Sequence, residues 1–407
     1  MKTFSPDTFR RAFPGTAGDT VFLDSAATAL KPEVMTQATA RYYQHDSGAT
    51  VHRSHHRQAR AVTEQFEQAR DAVRQLIQAE DARSCIWTKG TTESLNLVAQ
   101  GFFRPRLQPG DEIIVSELEH HSNLIPWIML AQQTGATLVK WPLTADKTLC
   151  CDQLETLLSP RTRLVAVTQM SNITGCQPDI ARAAQLAHQH GALIVADGAQ
   201  GVVHRPLNVT LSDVDFYAFS AHKLYGPNGL GVLYGRPELL SDMQPWQGGG
   251  KMLTDTDFFS FTPAPVPARF EAGTPNVAGV TAFGETLRWL DTIDLTAAHD
   301  YTIALCDSAE QQLAALPGFR SYRSPGSPLL AFNIDGIHHS DIATLLAEKN
   351  IALRHGQHCA QPLCQALCQA LGTEGCLRVS FMPYNQPDDV RQLVQAVQFA
   401  LEILADD

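Results

Sequence analysis

The sequence predicts an α/β fold: a large domain on a mostly parallel, seven-stranded sheet, joined to a smaller α+β C-terminal domain. Three observations predict it. Apolar runs of five to seven residues alternate with helical patterns from about residue 84 to 235, the rhythm of a sheet covered by helices. At 407 residues the chain exceeds one small core. From about residue 294 the rhythm gives way to shorter, mixed elements.

Strands of the large domain are expected at Cys85–Thr88, Glu112–Ser116, Thr137–Trp141, Leu164–Thr168, Ala192–Ala196, Asp215–Ser220 and Gly231–Tyr234. The last two flank HKLYGPNGLG, whose Gly and Pro force a reversal and put Lys223 on a tight loop at a sheet edge. Between Gln247 and Asn276 four prolines exclude a helix interior or a central strand, so a long ordered loop is expected before a helical segment at Gly279–Ile293. Then follow a strand at Leu329–Ile334, a helix at Ser340–Glu348 capped by Ser340, and strands at Ala352–Arg354 and Leu377–Phe381. Val390, Leu393, Val394, Val397, Leu401 and Leu404 form one stripe of a terminal helix. The large domain is therefore placed at 20–290 and the small one at 1–19 with 291–407.

The balance of 31 basic against 42 acidic residues gives a net charge of -11, which argues against nucleic acid and anionic membranes as partners. The N-terminus has no signal-like apolar run and no stretch of about 18 apolar residues occurs, so the cytoplasm is the expected compartment. Nine cysteines, an odd number over a long chain, read as reduced thiols rather than a disulfide framework.

Lys223, in FSAHKLYG, and Asp197, 26 positions upstream at the end of an apolar strand, carry the chemistry. A lysine amine that condenses with an aldehyde, and a carboxylate that keeps a pyridine nitrogen protonated, are the two ends of a pyridoxal phosphate site. The strand-Gly-Thr-Thr junction at Gly90-Thr91-Thr92 offers helix N-terminal N–H groups and hydroxyls to an anion, or else plain capping. His120 and His121 follow another strand end, either as a ring-stacking proton carrier or as a surface pair. Asn172 stands at an equivalent place, so five strand ends point to one rim. Arg378 has the guanidinium fork that suits an amino acid carboxylate, and Arg354 either shapes the site or braces the loop before Cys359. Cys359 lies in a polar, basic loop where Arg354, His355 and His358 would lower its pKa. A metal site from Cys359, Cys364, Cys368 and Cys376 is the competing reading, but the spacing lacks the paired knuckles of structural zinc.

The motifs LDSAATAL, WTKGTTESLNLVA, EHHSN, QMSN, DGAQ, FSAHKLYGPNGLG, EAGTPN and RHGQHCAQP occur in order along nearly the whole chain. Together they resemble the cysteine desulfurases of the class V aminotransferase-like family, pyridoxal phosphate-dependent transferases of fold type I. Within it they are most similar to the Suf-type and Csd-type group, and GQHCAQP and QMSN favour the Csd-type cysteine sulfinate desulfinases.

The resemblance implies that Lys223 holds the cofactor and later takes the substrate Cα proton, while His120 stacks on the ring. Asp197 would pair with the ring nitrogen and Gln200 with the phenolic oxygen. Thr92, Ser220 and His222 would hold the phosphate, joined by Thr274 from the other subunit of a homodimer. Asn172 and Arg378 would grip the substrate carboxylate, Arg354 would assist, and His52 and Arg53 of the other subunit would line the entrance. Cys359 would take sulfur from L-cysteine as a persulfide, leaving L-alanine, and pass it to a small SufE-like acceptor. Cysteine sulfinate and selenocysteine are further expected substrates. The alternatives are an aminotransferase or kynureninase-like member of the same superfamily, which has no use for Cys359, and a sulfur-relay or metal-binding scaffold without turnover.

Overall fold

The computed structural model describes residues 2–405. It separates into a larger unit, residues 34–169 with 178–288, and a smaller one made of the residues up to 33, 170–177 and those from 289 on.

The larger unit is built on seven strands: β1 (Cys85–Thr88), β2 (Glu112–Ser116), β3 (Thr137–Trp141), β4 (Thr162–Thr168), β5 (Leu193–Asp197), β6 (Phe216–Ser220) and β7 (Gly231–Gly235), in the order β1-β7-β6-β5-β4-β2-β3. Only β7 runs against its neighbours. Central strands are buried on both faces, as their continuous apolar runs require, whereas the edge strand β3 exposes Thr137 and Leu138. Ile86, Ile113, Val115, Leu164, Ala166, Val195, Phe216 and Leu233 share one core with Leu95 and Trp127 from the covering helices. Each such large side chain contributes roughly 1.5–3 kcal/mol by burial.

Helix α1 (Arg57–Ile77) buries Ala59, Val62, Phe66, Ala69, Val73 and Ile77, a three-to-four-residue stripe, and stops at Gln78 in the left-handed conformation with φ 55°. Helix α2 (Thr91–Leu97) starts one residue after Gly90. A side chain at Gly231, which opens β7, would come within 2.4 Å of the Gly90 Cα. The glycine pair thus lets β7 close on the turn that leads into α2.

The turn carrying Lys223, Ala221–Lys223, joins β6 to β7. Both are interior strands, so Lys223 sits at the sheet's C-terminal rim rather than beside an edge strand, because β1 adds outside β7. The expected loop at 247–276 contains a short antiparallel ribbon, β8 (Leu253–Thr256) with β9 (Phe261–Pro263). Its turn is made by Asp257, whose carboxylate accepts from the Phe259 and Ser260 N–H groups at 2.7 Å. A helix at Val277–Leu290 follows.

The smaller unit is a four-stranded antiparallel sheet of β10 (Phe319–Ser321), β11 (Leu329–Ile334), β12 (Arg354–Gly356) and β13 (Cys376–Ser380), in the order β10-β11-β13-β12. Helices α3 (Leu295–Leu313), α4 (His339–Glu348) and α6 (Pro387–Ala405) share its core, and α5 (Gln361–Cys368) follows β12. Val390, Leu393, Val394 and Val397 are buried in that core, with Leu401 and Leu404 packed against it. The cap of α4 is the His338 ring, which accepts from the Ser340 N–H, instead of Ser340 itself.

Residues 20–33 were expected in the large domain. They group with the small unit because Val21–Phe22 pair in parallel with Ile351–Ala352 and the Leu23 carbonyl accepts from the Ser380 N–H at 2.8 Å. Residues 170–177 join it as well, through the Thr174 carbonyl, which accepts from the Ser324 N–H at 2.8 Å. Among the described residues no helix is long and apolar enough to cross a membrane.

Candidate active site

The rim of the larger sheet gathers Thr92, His120, Asp197, Gln200, Ser220, His222 and Lys223, from the ends of β1, β2, β5 and β6. Asp197 ends β5 and is 3% exposed. Burial pushes its carboxyl pKa up, against the Ala199 N–H at 2.9 Å and the nearby Lys223 ammonium. Gly198 must be glycine, since a Cβ would lie 2.1 Å from the Tyr217 ring. Ser220 accepts the Thr91 N–H at 2.8 Å and lies 2.7 Å from the Thr91 hydroxyl. The Thr92 and Ser122 hydroxyls stand 2.7 Å apart. These links tie the α2 N-terminus, the β6 end and the EHHSN loop into one cluster of anion donors. His120 Nδ1 accepts the Ser122 N–H at 3.0 Å, which fixes the ring's orientation.

Three features fit a bound pyridoxal phosphate. The Gln200 amide is buried with its Oε1 end unpartnered, so it can turn one polar group to a phenolic oxygen. Asp197 is a buried carboxyl that a protonated ring nitrogen would neutralise. The hydroxyl cluster matches the chemistry of a phosphate.

Glu119 was missed in the sequence. It is buried, accepts from the Asn123 amide at 2.6 Å and the Thr168 N–H at 2.7 Å, and also bonds the Ser116 hydroxyl. It thereby fastens the loop of His120 to the β4 end. Burial first, and the Asp197 charge, push its pKa up to about 8 despite these donors. Ser122 was missed too; both stand inside EHHSN, where the histidines drew the attention.

In the smaller unit, β13 carries Arg378, 2% exposed. It donates to the Asn172 carbonyl at 2.8 Å and to Asp24 at 3.1 Å, and its Nε is buried without a partner. Asp24 also faces Arg354 at 3.6 Å. The acid in LDSAATAL therefore orients both arginines, a role the motif alone did not reveal. Asn172 donates to the His358 carbonyl at 2.8 Å and keeps its own Oδ1 buried and unpartnered. An unpartnered buried acceptor on Asn172 and an unpartnered guanidinium N–H on Arg378 suit the two charges of a small zwitterion.

Cys359 is exposed, and both it and His358 are left-handed, with φ 54° and 50°. Such a conformation in two consecutive non-glycine residues is strained backbone of the kind found at functional loops. The expectation that His358 supplies positive charge to Cys359 fails. Its ring is buried and Nε2 donates to the Cys376 carbonyl at 3.0 Å, while burial first, then Arg378, lower its pKa to about 3. The ring is neutral, and the permanently charged residue nearest in sequence before Cys359 is Arg354, which opens β12. All nine cysteines are free thiols, and among the described residues no group of three or more His, Cys, Asp or Glu is arranged to hold a metal.

His52, Arg53 and Thr274 stand exposed elsewhere on the larger unit. A chain of hydrogen-bonded side chains links His52 to Glu67 at 2.9 Å, Glu67 to Arg70 at 2.9 Å and Arg70 to Glu271 at 2.6 Å, three residues before Thr274. A cavity of about 420 Å³ beside it is lined by Trp87, Trp246, Phe270 and Thr274.

A sheet rim that pairs a lysine with a buried aspartate beneath a phosphate cradle defines a class, and the chain belongs to it: residues 21–393 match the class-V aminotransferase family. The cysteine desulfurase CsdA of Escherichia coli is 54% identical over 406 residues, covering 100% of both chains. The crystal structure of that enzyme, in an S-sulfonic acid form, superposes with a TM-score of 0.94 at 53% identity, over 98% of this chain and 99% of the other. The apo cysteine desulfurase of Thermococcus onnurineus matches with a TM-score of 0.93 at 32% identity, over 99% and 100% of the two chains.

Proposed function

We propose that this protein is a pyridoxal phosphate-dependent cysteine desulfurase, which converts L-cysteine to L-alanine and takes the sulfur as a persulfide on Cys359. The observation that carries the reading is the buried Asp197 carboxyl set against Lys223 beside the Thr91–Ser220 donor cluster. The 54% identity with CsdA over the whole chain supports the choice of reaction.

Lys223 would hold the cofactor through Nζ, Asp197 its ring nitrogen, Gln200 its phenolic oxygen, and Thr92, Ser220 and His222 its phosphate, with His120 over the ring. When bound, the group withdraws electron density from the substrate Cα and so loosens the bonds around it. Arg378 and Asn172 bind the substrate carboxylate, Arg354 stands beside them, and Lys223 Nζ takes the Cα proton. The Cys359 thiolate attacks the substrate sulfur, and a sulfur–sulfur bond forms as the Cβ–S bond breaks. Cβ then gains a proton and alanine leaves. The sulfinate of cysteine sulfinate departs without a thiol nucleophile, and selenocysteine is accepted by the same grip on the carboxylate.

The protein acts as a homodimer in which two copies exchange His52, Arg53 and Thr274. Phe258 and Phe259, 94% and 93% exposed at the ribbon tip, favour a covering partner, and the hydrogen-bonded chain from His52 to Glu271 gathers the exchanged residues on one unit. The persulfide passes to a small SufE-like acceptor in the cytoplasm.

Purified protein supplied with pyridoxal phosphate should be yellow, bleach with borohydride with the adduct on Lys223, and yield alanine plus sulfide from L-cysteine. A keto acid product would point to transamination, and a colourless protein would refute the cofactor. Sedimentation of the F258S/F259S double variant tests the dimer: weakened association supports it.

A further inference from the structure

Three hydrogen bonds meet at the buried Glu119 carboxyl, and the fold fixes the direction of two of them. Oε1 accepts the Thr168 main-chain N–H at 2.7 Å and also faces the Ser116 hydroxyl, while Oε2 accepts the Asn123 amide at 2.6 Å. Asn123 is wholly buried and cannot turn its amide round, because its Oδ1 accepts the indole N–H of Trp127 at 2.9 Å. Each carboxyl oxygen therefore meets one donor that cannot become an acceptor. A proton on the acid has one place to go, towards Ser116, whose hydroxyl can rotate to accept it. Both anchors thus hold in either protonation state.

The two anchors lead to different contacts of the cofactor site. Thr168 ends β4 as the register partner of Asp197, and the Asp197 carbonyl accepts the Gln169 N–H at 2.8 Å and the Thr168 hydroxyl at 3.4 Å. Asn123 closes the turn His121–Asn123, which the His120 ring caps, and its N–H donates to the His120 carbonyl at 2.9 Å. One carboxyl, next in the chain to His120, ties the strand end beside Asp197 to the turn that carries the His120 ring.

We propose that Glu119 is a positioning residue for the cofactor: it fixes the His120 ring relative to Asp197, so that the face and the nitrogen of one planar group are met together. The inference rests on the reading that this rim holds pyridoxal phosphate. Glu119 acts through His120 and Asp197, and it does so by the direction of its hydrogen bonds. Glu119→Gln keeps the shape but sets an amide NH2 against either the Thr168 N–H or the Asn123 amide, whichever way it turns, and a buried donor is left unsatisfied. Adding Asn123→Asp reverses one bond. The amide at 119 then donates to the carboxylate at 123, whose other oxygen still accepts from Trp127, and the carbonyl end at 119 still accepts from Thr168.

The test compares wild type, E119Q and E119Q/N123D, each loaded with pyridoxal phosphate. The readouts are visible circular dichroism of the bound cofactor per unit absorbance, the rate of cofactor loss on dilution, the melting temperature of each apo form, and kcat and KM for L-cysteine. In E119Q the dichroism should fall, cofactor loss should quicken about tenfold or more, and kcat should drop more than KM rises. The double variant should return all of these close to wild type. Unchanged dichroism and cofactor loss in E119Q, or a lowered melting temperature as its sole defect, would overturn the proposal. So would a double variant that stays as impaired as E119Q. If E119Q alone does not fold, the double variant decides: folding with wild-type dichroism supports the proposal, and failure to fold overturns it. A wild type that takes up no cofactor would refute the pyridoxal phosphate reading itself, whereas a coloured wild type beside an unaltered E119Q refutes the role of Glu119 alone.

Discussion

The Asn172 side chain donates to the main-chain carbonyl of His358 at 2.8 Å, so a residue expected to grip the substrate also holds the residue before Cys359, the proposed sulfur acceptor. Asn172→Ala removes both contacts. A hydrogen bond to a charged group is worth about 1.5–3 kcal/mol, so KM for L-cysteine should rise roughly 10- to 100-fold. Proteolysis at 357–360 should accelerate as the loop loses its tether. Steady-state kinetics and a timed digest check this; an unchanged KM would remove Asn172 from the substrate grip.

Cys359→Ala should separate two substrates. Alanine formation from L-cysteine should fall by at least about 100-fold, since the loss of a nucleophile costs orders of magnitude. Release from cysteine sulfinate should stay within a few-fold of wild type. Equal loss on both would contradict the division of labour between thiol and leaving group.

The Arg70–Glu271 pair is a structural charge pair, with both side chains 5% exposed or less. The Glu271 carboxylate also accepts the Trp87 N–H at 2.9 Å. Arg70→Met strands that carboxylate, which should cost about 3–5 kcal/mol in denaturant unfolding. Adding Glu271→Gln should recover most of it.

Acid should destabilise the protein through His358. Its folded pKa is about 3, depressed by burial and then by Arg378, against 6.5 for the free side chain. Below pH 6.5 the unfolded chain binds a proton that the folded one refuses, so stability declines as pH falls from 6.5 towards 3. His339, lowered to about 4 chiefly by burial, adds to the same window. His358→Gln should flatten the slope of melting temperature against pH there; an identical slope would show that His358 does not titrate on unfolding.

Strand positions in the larger unit were legible because each strand is a short apolar run ended by a turn or a helix start. Lys223, Asp197 and Ser220 were legible because they close such runs. The attachment of residues 20–33 was not, since Val21 pairs with Ile351 across 330 residues and local periodicity carries no trace of it. The ribbon at 253–263 escaped because TDTDFFSFT exposes nearly every side chain and so has no alternating pattern to read. His358 was misjudged because proximity in sequence suggested a cation, while the fold buries the ring and neutralises it. Glu119 and Asp24 orient other residues, and that role depends on partners brought together only by the fold.

The most direct measurement of the central claim is the mass of the peptide spanning residues 355–378 after brief incubation of the holoenzyme with L-cysteine and rapid alkylation, alongside the alanine released. One added sulfur on Cys359, in step with the first equivalent of alanine, is the predicted result. Alanine released with Cys359 unmodified, or with the sulfur on Cys364, Cys368 or Cys376 alone, would contradict it.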